Sequence, residues 1–595
     1  MTLAFPADRI LPLAMLLAAA ALPAGAQEAA TGSPLQLTPD GAPPALEAPP
    51  PVLPGGPAAP PEFEAEGVSG IEIGELRELD PDSGGILDSS LGGLGVDMWA
   101  GADRSRLLRL LPQLPAFYRS PALHDLGRRL LLSSAIAPAR GPDDPGTSLI
   151  GLRIERLAAM GLTGAVAEMM AIAPPPETDA TLLRLHLDNR LLLDDTEGAC
   201  GAFAAAQVTL EAPLGDQLRV FCDALADNKE AAGITANLLR EGGEIDDPAF
   251  FALADALTAG LRANVKSLAD PQPIHLAMAM AAEVKLPSDV LETESPIMLR
   301  ALADSPLVSD SVRLAAAERA ALAGALAPVD LAGRYVALEF SRKELDNAIS
   351  IAEGEPSPRN RALLYQAAKQ QDLPVARAAA MQKAWALAAA DGSYRLSIAV
   401  YQGELEALQP SAELLWFAAD ATRALFLLNQ QERALAWAAT AQRHAQEAEE
   451  KQAAMRLWPL VALAEGSSTG QAHERWLSAI AEAGPADAAM KAGYAYSLFE
   501  AMGERMAEGR WEALLDGGGT ATATAPDLAY LRAFRMAASA GRRGETALLA
   551  ILTLGGDLGD YGPGLLSEIV IGLRKVGLED EARRLAIEAA LAAGL

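Results

Sequence analysis

Cysteine is nearly absent from this chain of 595 residues, which has only two. Two thiols cannot build a disulfide-dense scaffold or complete a four-cysteine zinc site. Aromatic residues are scarce, at 5%. Positive charge is the third shortage: Lys plus Arg number 48 against 78 Asp plus Glu, a formal net charge of −30. A chain this acidic is repelled by nucleic acid and by anionic lipid, which argues against both as main partners. Half the residues are hydrophobic, too many for a disordered chain. After the N-terminal segment no stretch of 18 apolar residues runs free of charge, so no membrane span is expected in the mature chain.

What is present begins with an export signal. Arg9 precedes an apolar run, Ile10 to Leu22, and Ala24-Gly25-Ala26 then supplies a small-x-small cleavage site. Residues 1–26 therefore read as a signal peptide cleaved after Ala26, with an uncleaved anchor as the alternative. Thirty-nine of the 48 basic residues are Arg, and Ala, Gly and Pro abound, as in a GC-rich bacterial genome. The expected compartment is the periplasm. In an oxidising compartment Cys200 and Cys222, on successive predicted helices, are expected to form a disulfide, with two buried free thiols as the alternative.

Residues 27–98 are expected to be a disordered, Pro/Gly-rich and acidic linker. Eleven prolines lie between Pro34 and Pro61, which forbids a helix or a central strand there. The opening of an EF-hand loop is imitated by Asp80, Asp82 and Asp88, but Gly84 and Leu91 stand where two of the ligands are needed. A flexible acidic linker is the better reading.

From about residue 100 apolar-periodic segments alternate with turn signals. Ser120-Pro121, Asp247-Pro248, Ser357-Pro358 and Pro526-Asp527 mark helix starts, and Gly161, Gly260, Gly484, Gly503, Gly541 and Gly577 mark ends. No run of alternating strands is evident, so the expected fold class is all-α. Residues 99–146 form Arg-rich N-terminal capping helices, and 147–595 a helical array.

The helices come in pairs. Leu565–Val576 and Glu579–Ala593 are joined at Gly577, with Ala582 five residues later and Ala589 seven after that. Asn429, Ala434 and Ala441 repeat these offsets, and Asp227 and Ala232 repeat the first. This spacing resembles the tetratricopeptide repeat, in which small residues let two helices approach closely. The resemblance implies a right-handed α-solenoid of helical hairpins. The chain also resembles a group of exported alphaproteobacterial proteins, through Trp99-Ala100-Gly101-Ala102-Asp103-Arg104 and Ser120-Pro121-Ala122-Leu123.

Signs of catalysis are thin. None of His124, His186, His275, His444 and His473 has another His three or four positions away, so no helical metal pair is expected. Gly466-Ser467-Ser468-Thr469-Gly470 has the letters of a nucleophile elbow but joins two predicted helices, where that motif requires a strand before it. No catalytic residue, metal ligand or cofactor is assigned.

Two clusters could bind a partner. Six of the seven Trp lie between 385 and 511, and Trp416, Trp437 and Trp458 are each 21 positions apart. With Trp476, Tyr494 and Tyr496 they would either face a groove and hold a peptide or glycan, or fill the inter-helix core. Arg104, Arg106, Arg109, Arg119, Arg128, Arg129 and Arg140 face only Asp103 and Asp125 in sequence, a local balance of +5. They would either dock an acidic partner or cap the array by pairing with its acidic faces. The expected function is a non-catalytic periplasmic scaffold or adaptor for envelope proteins. A glycan- or peptidoglycan-binding protein using the Trp-rich 385–511 region is the alternative, and a motility accessory factor a lesser one.

Overall fold

A computed structural model describes residues 80–595 apart from 143, 145, 244, 468, 469, 483 and 516–522. The expected signal peptide and most of the Pro-rich linker lie outside the described residues. The described chain is all-helical. Its β pairing is a single isolated bridge between Leu87 and Ser133. Among the described residues no helix is long and apolar enough to cross a membrane.

The helix starts follow from local chemistry. Ser120 precedes helix Pro121–Leu132 and its Oγ accepts the Leu123 N–H, while Pro121 spends no donor at the first helical position. Asp247 caps Pro248–Ala259, Ser357 caps Pro358–Lys369 and Asp527 caps Leu528–Ser539 in the same way.

The turns carry a regularity finer than the sequence patterning suggested. Gly161, Asp194, Asp227 and Gly260 have left-handed backbone and recur every 33 positions. Gly392, Asn429, Gly466, Gly503, Gly541 and Gly577 do so every 36–38 positions. With Gly260 the one exception, each sits between two helices of a hairpin. The amide one residue further on reaches back five residues to the first helix, as in Leu162 to Leu157, Gln430 to Leu425 and Leu578 to Leu573. This satisfies a carbonyl that the helix end would leave bare. At six of these turns the side chain five positions after the left-handed residue is buried: Val166, Ala199, Ala232, Ala434, Thr546 and Ala582. Between residues 261 and 373 the spacing lapses.

Within a hairpin the two helices pack on each other, as Leu214–Leu225 does on Lys229–Gly242, Ala418–Leu427 on Gln431–His444, and Leu528–Ser539 on Arg543–Thr553. Ala is frequent at these contacts, and one continuous apolar core runs from Leu94 to Leu595. Each thin hairpin thus relies on its neighbours for burial.

The expected linker boundary at residue 98 is corrected by the packing of 80–98. Asp82 is buried against Arg104, and Leu94, Met98 and Trp99 are buried too. Arg153, fully buried, donates to the carbonyls of Gly84, Leu131 and Ser133 at 2.6–2.8 Å and so ties this segment to helix Pro121–Leu132. Burial lowers the Arg153 pKa to about 10. Asp80 and Asp88 cap short 3-10 turns, and Asp82 is held by arginines, so these carboxylates serve the fold.

The N-terminal helices do not cap a free end. Helix Pro121–Leu132 packs on both Arg543–Thr553 and Glu579–Ala592, so the first and last hairpins of the described chain meet. The Gly544 N–H donates to the Met98 carbonyl at 2.8 Å, and a Cβ on Gly544 would lie 2.8 Å from the Trp99 ring, so glycine is needed there.

Candidate functional site

The Trp-rich region is core. Trp437, Trp458, Trp476 and Tyr496 are buried, as is Trp385. Trp385 stacks on Phe417, which also meets Trp437 edge-on at 6.0 Å and Trp416 at 5.7 Å. Trp458 stacks on His473 at 4.9 Å and meets Trp476 at 5.4 Å. The 21-residue spacing advances each Trp into the next helix-helix seam, and ring burial there gains more than exposure would. Tyr494 is half-buried, with burial raising its pKa. Trp416 alone of this set keeps an accessible face, at 41% exposure. A continuous aromatic groove is therefore not formed.

The arginines likewise turn inward. Arg104 is buried between Asp82 and Asp144, Arg106 reaches the buried Glu545, and Arg129 holds Glu581 and the Gly92 carbonyl. Arg128 pairs with Asp125, and Arg140 with Asp82. The local excess of +5 is offset in part by acids outside that stretch, Asp82 and Asp144 close by and Glu545 and Glu581 far along the chain. Arg109 and Arg119 remain exposed.

Cys200, on helix Thr196–Ala204, and Cys222, on Leu214–Leu225, are joined by a disulfide.

His473 is buried beneath Trp458, near Arg510. Desolvation, with the Arg510 charge second, lowers its pKa to about 4, so it is neutral at pH 7. His275 accepts the Gln272 N–H at Nδ1, which leaves Nε2–H to donate to Asp247 at 2.7 Å. Both ends of that bond belong to helix N-termini, and it joins two helices.

A cleft lies where the sequence carried no signal, between helices Ala348–Gly354, Pro358–Lys369, Pro374–Ala390 and Tyr394–Val400. It is open-sided, has a volume of about 870 Å³, and its walls are mostly apolar, including Leu364, Leu387, Leu396 and Val400. Polar groups gather on one side. Arg361 bonds Glu318 through Nε at 3.0 Å and Asp391 through Nη1 at 2.8 Å, and Glu318 also accepts the Tyr335 hydroxyl at 2.5 Å. Burial opposes the charge on Arg361, but Glu318 more than offsets it and the pKa is raised. Tyr365 meets both Tyr335 and Tyr401, at 5.9 and 5.1 Å. An ion-paired group beside aliphatic walls suits one apolar side chain with a polar backbone next to it. The signal for this cleft is tertiary, because its lining residues span 335 to 401 with no shared motif.

No protein-family model, curated protein or solved structure matches this chain.

Proposed function

We propose that this chain is a non-catalytic scaffold or adaptor of the bacterial cell envelope, built as an α-solenoid of tetratricopeptide-like hairpins. It is exported by residues 1–26 and binds partner proteins through the cleft between helices Ala348–Gly354 and Tyr394–Val400. The observation that carries this reading is the apolar-walled cleft at the junction of successive hairpins. Stacked hairpins present such junctions to extended segments of other chains, and an aliphatic side chain entering one is removed from water on several sides. The glycan reading loses its platform with the burial of Trp437, Trp458 and Trp476. The peptide reading is preferred.

A photoreactive amino acid at Ser397, on the cleft lining, tests this in living cells. It should give one discrete crosslinked partner, and the same group at Arg342, exposed on another helix, should not. Equal products from both positions, or none from Ser397, would sink the proposal.

A further inference from the structure

A second, larger cavity of about 1370 Å³ lies where three distant parts of the chain meet. Its walls come from residues 117–124, 321–328 and 392–399, with Asp557 at one side. It is distinct in kind from the cleft above. The apolar lining is accessible at Phe117, 37% exposed, and Leu322, 43% exposed, with Tyr394 half-buried beside them and Leu326 and Leu396 buried beneath. The charged lining is basic in a chain of net charge −30. Arg119 is exposed and has no carboxylate partner among the described residues. Arg395 also lines the cavity, with one guanidinium nitrogen tied to Glu588 and to the Arg119 carbonyl. His124 adds no charge at neutral pH, because burial lowers its pKa. Asp557 is the opposing carboxylate, and it accepts the Gly559 N–H at 3.0 Å.

We infer that this cavity binds an amphipathic carboxylate, a medium-chain fatty acid, with its tail along Phe117, Leu322 and Tyr394 and its head group at Arg119. Charge complementarity selects the head group. An anion approaching this molecule is repelled over most of the surface and attracted where Arg119 stands free. The apolar side chains select the tail: the aromatic and aliphatic surface at Phe117 and Leu322 suits an unbranched chain. Because the lining comes from three segments far apart in sequence, the site exists only in the folded whole.

Calorimetric titration of the full chain with decanoate, below its micellar concentration, tests the inference. Decanoate should bind more tightly than decanol, and added salt should narrow the difference. Arg119→Glu should weaken decanoate by at least about tenfold, the scale of one charge-assisted hydrogen bond, and leave decanol unchanged. Phe117→Ser should weaken both ligands. Both side chains are exposed in the free chain, so folding is not at risk, and an unchanged circular dichroism melt verifies this. Equal binding of decanol and decanoate, or an Arg119→Glu variant with unaltered decanoate affinity, would overturn the inference. So would a peptide ending in a free leucine carboxylate that displaces decanoate while its amidated form does not.

Discussion

Ser120 and Glu588 stand 468 positions apart and share a hydrogen bond of 2.8 Å, Oγ donating to the carboxylate. The same carboxylate oxygen accepts the Ala122 N–H at 3.1 Å, and Arg395 pairs with the other oxygen. One buried side chain thus caps helix Pro121–Leu132 and joins the beginning, middle and end of the described chain. Glu588→Ala should cost about 3–4 kcal/mol, since it leaves a helix N-terminus and a guanidinium without their acceptor. Urea unfolding of the variant measures this; a loss below about 1 kcal/mol would show that water replaces the carboxylate without penalty.

The left-handed turns separate backbone from side-chain effects. At Gly577 a Cβ would meet only the Arg543 guanidinium, at 3.7 Å, so Gly577→Ala is penalised by conformation alone. It should lose about 1–2 kcal/mol. Asn429→Gly, at an equivalent turn, should be neutral or stabilising by a few tenths. Thermal melts of the two variants, moving in opposite senses or with only the first falling, would bear this out. Equal losses would refute it.

His473 gives a pH dependence with a definite sign. Its folded pKa, about 4, lies below the ordinary value of 6.5. Below pH 6.5 the unfolded chain takes up the proton and the folded chain does not, so stability falls from pH 6.5 down to about 4. The His473→Gln variant should lose less stability over that window than the parent. Parallel melting curves for the two proteins between pH 7 and 4.5 would count against the assignment.

The Cys200–Cys222 bond fastens helix Thr196–Ala204 to its successor. Reduction should cost about 3 kcal/mol, the scale of a loop of this length. Its effect should appear first as faster amide exchange in residues 196–225. Two thiols alkylated without reductant would refute the bond.

Much of the helical plan was legible because it is local. Caps at Ser120, Asp247 and Ser357, and turn glycines such as Gly503 and Gly577, act on neighbours within five residues, and sequence carries that information directly. The 33-residue interval was not read from the sequence, because at Asp194 and Asp227 an aspartate takes the left-handed role usually given to glycine. The two binding clusters were another matter. Whether Trp437 faces a groove or a core depends on the helix it meets, Gln431–His444 against its neighbours, and whether Arg106 is free depends on Glu545, 439 positions away. Residues 80–98 misled for the same reason. Their Gly and Asp content signals flexibility, yet Arg104 and Arg153 further along the chain hold them.

The meeting of Ser120 with Glu588 bears on how the chain comes to be made. In a linear repeat array each unit can settle on the one before it as synthesis or export proceeds. Here helix Pro121–Leu132 must wait for an acceptor that emerges 468 residues later. Contacts of such sequence separation slow folding. An intermediate lacking helix Glu579–Ala592 would show the apolar face of its earliest helices to solvent, a form that proteases and chaperones would meet before any partner does.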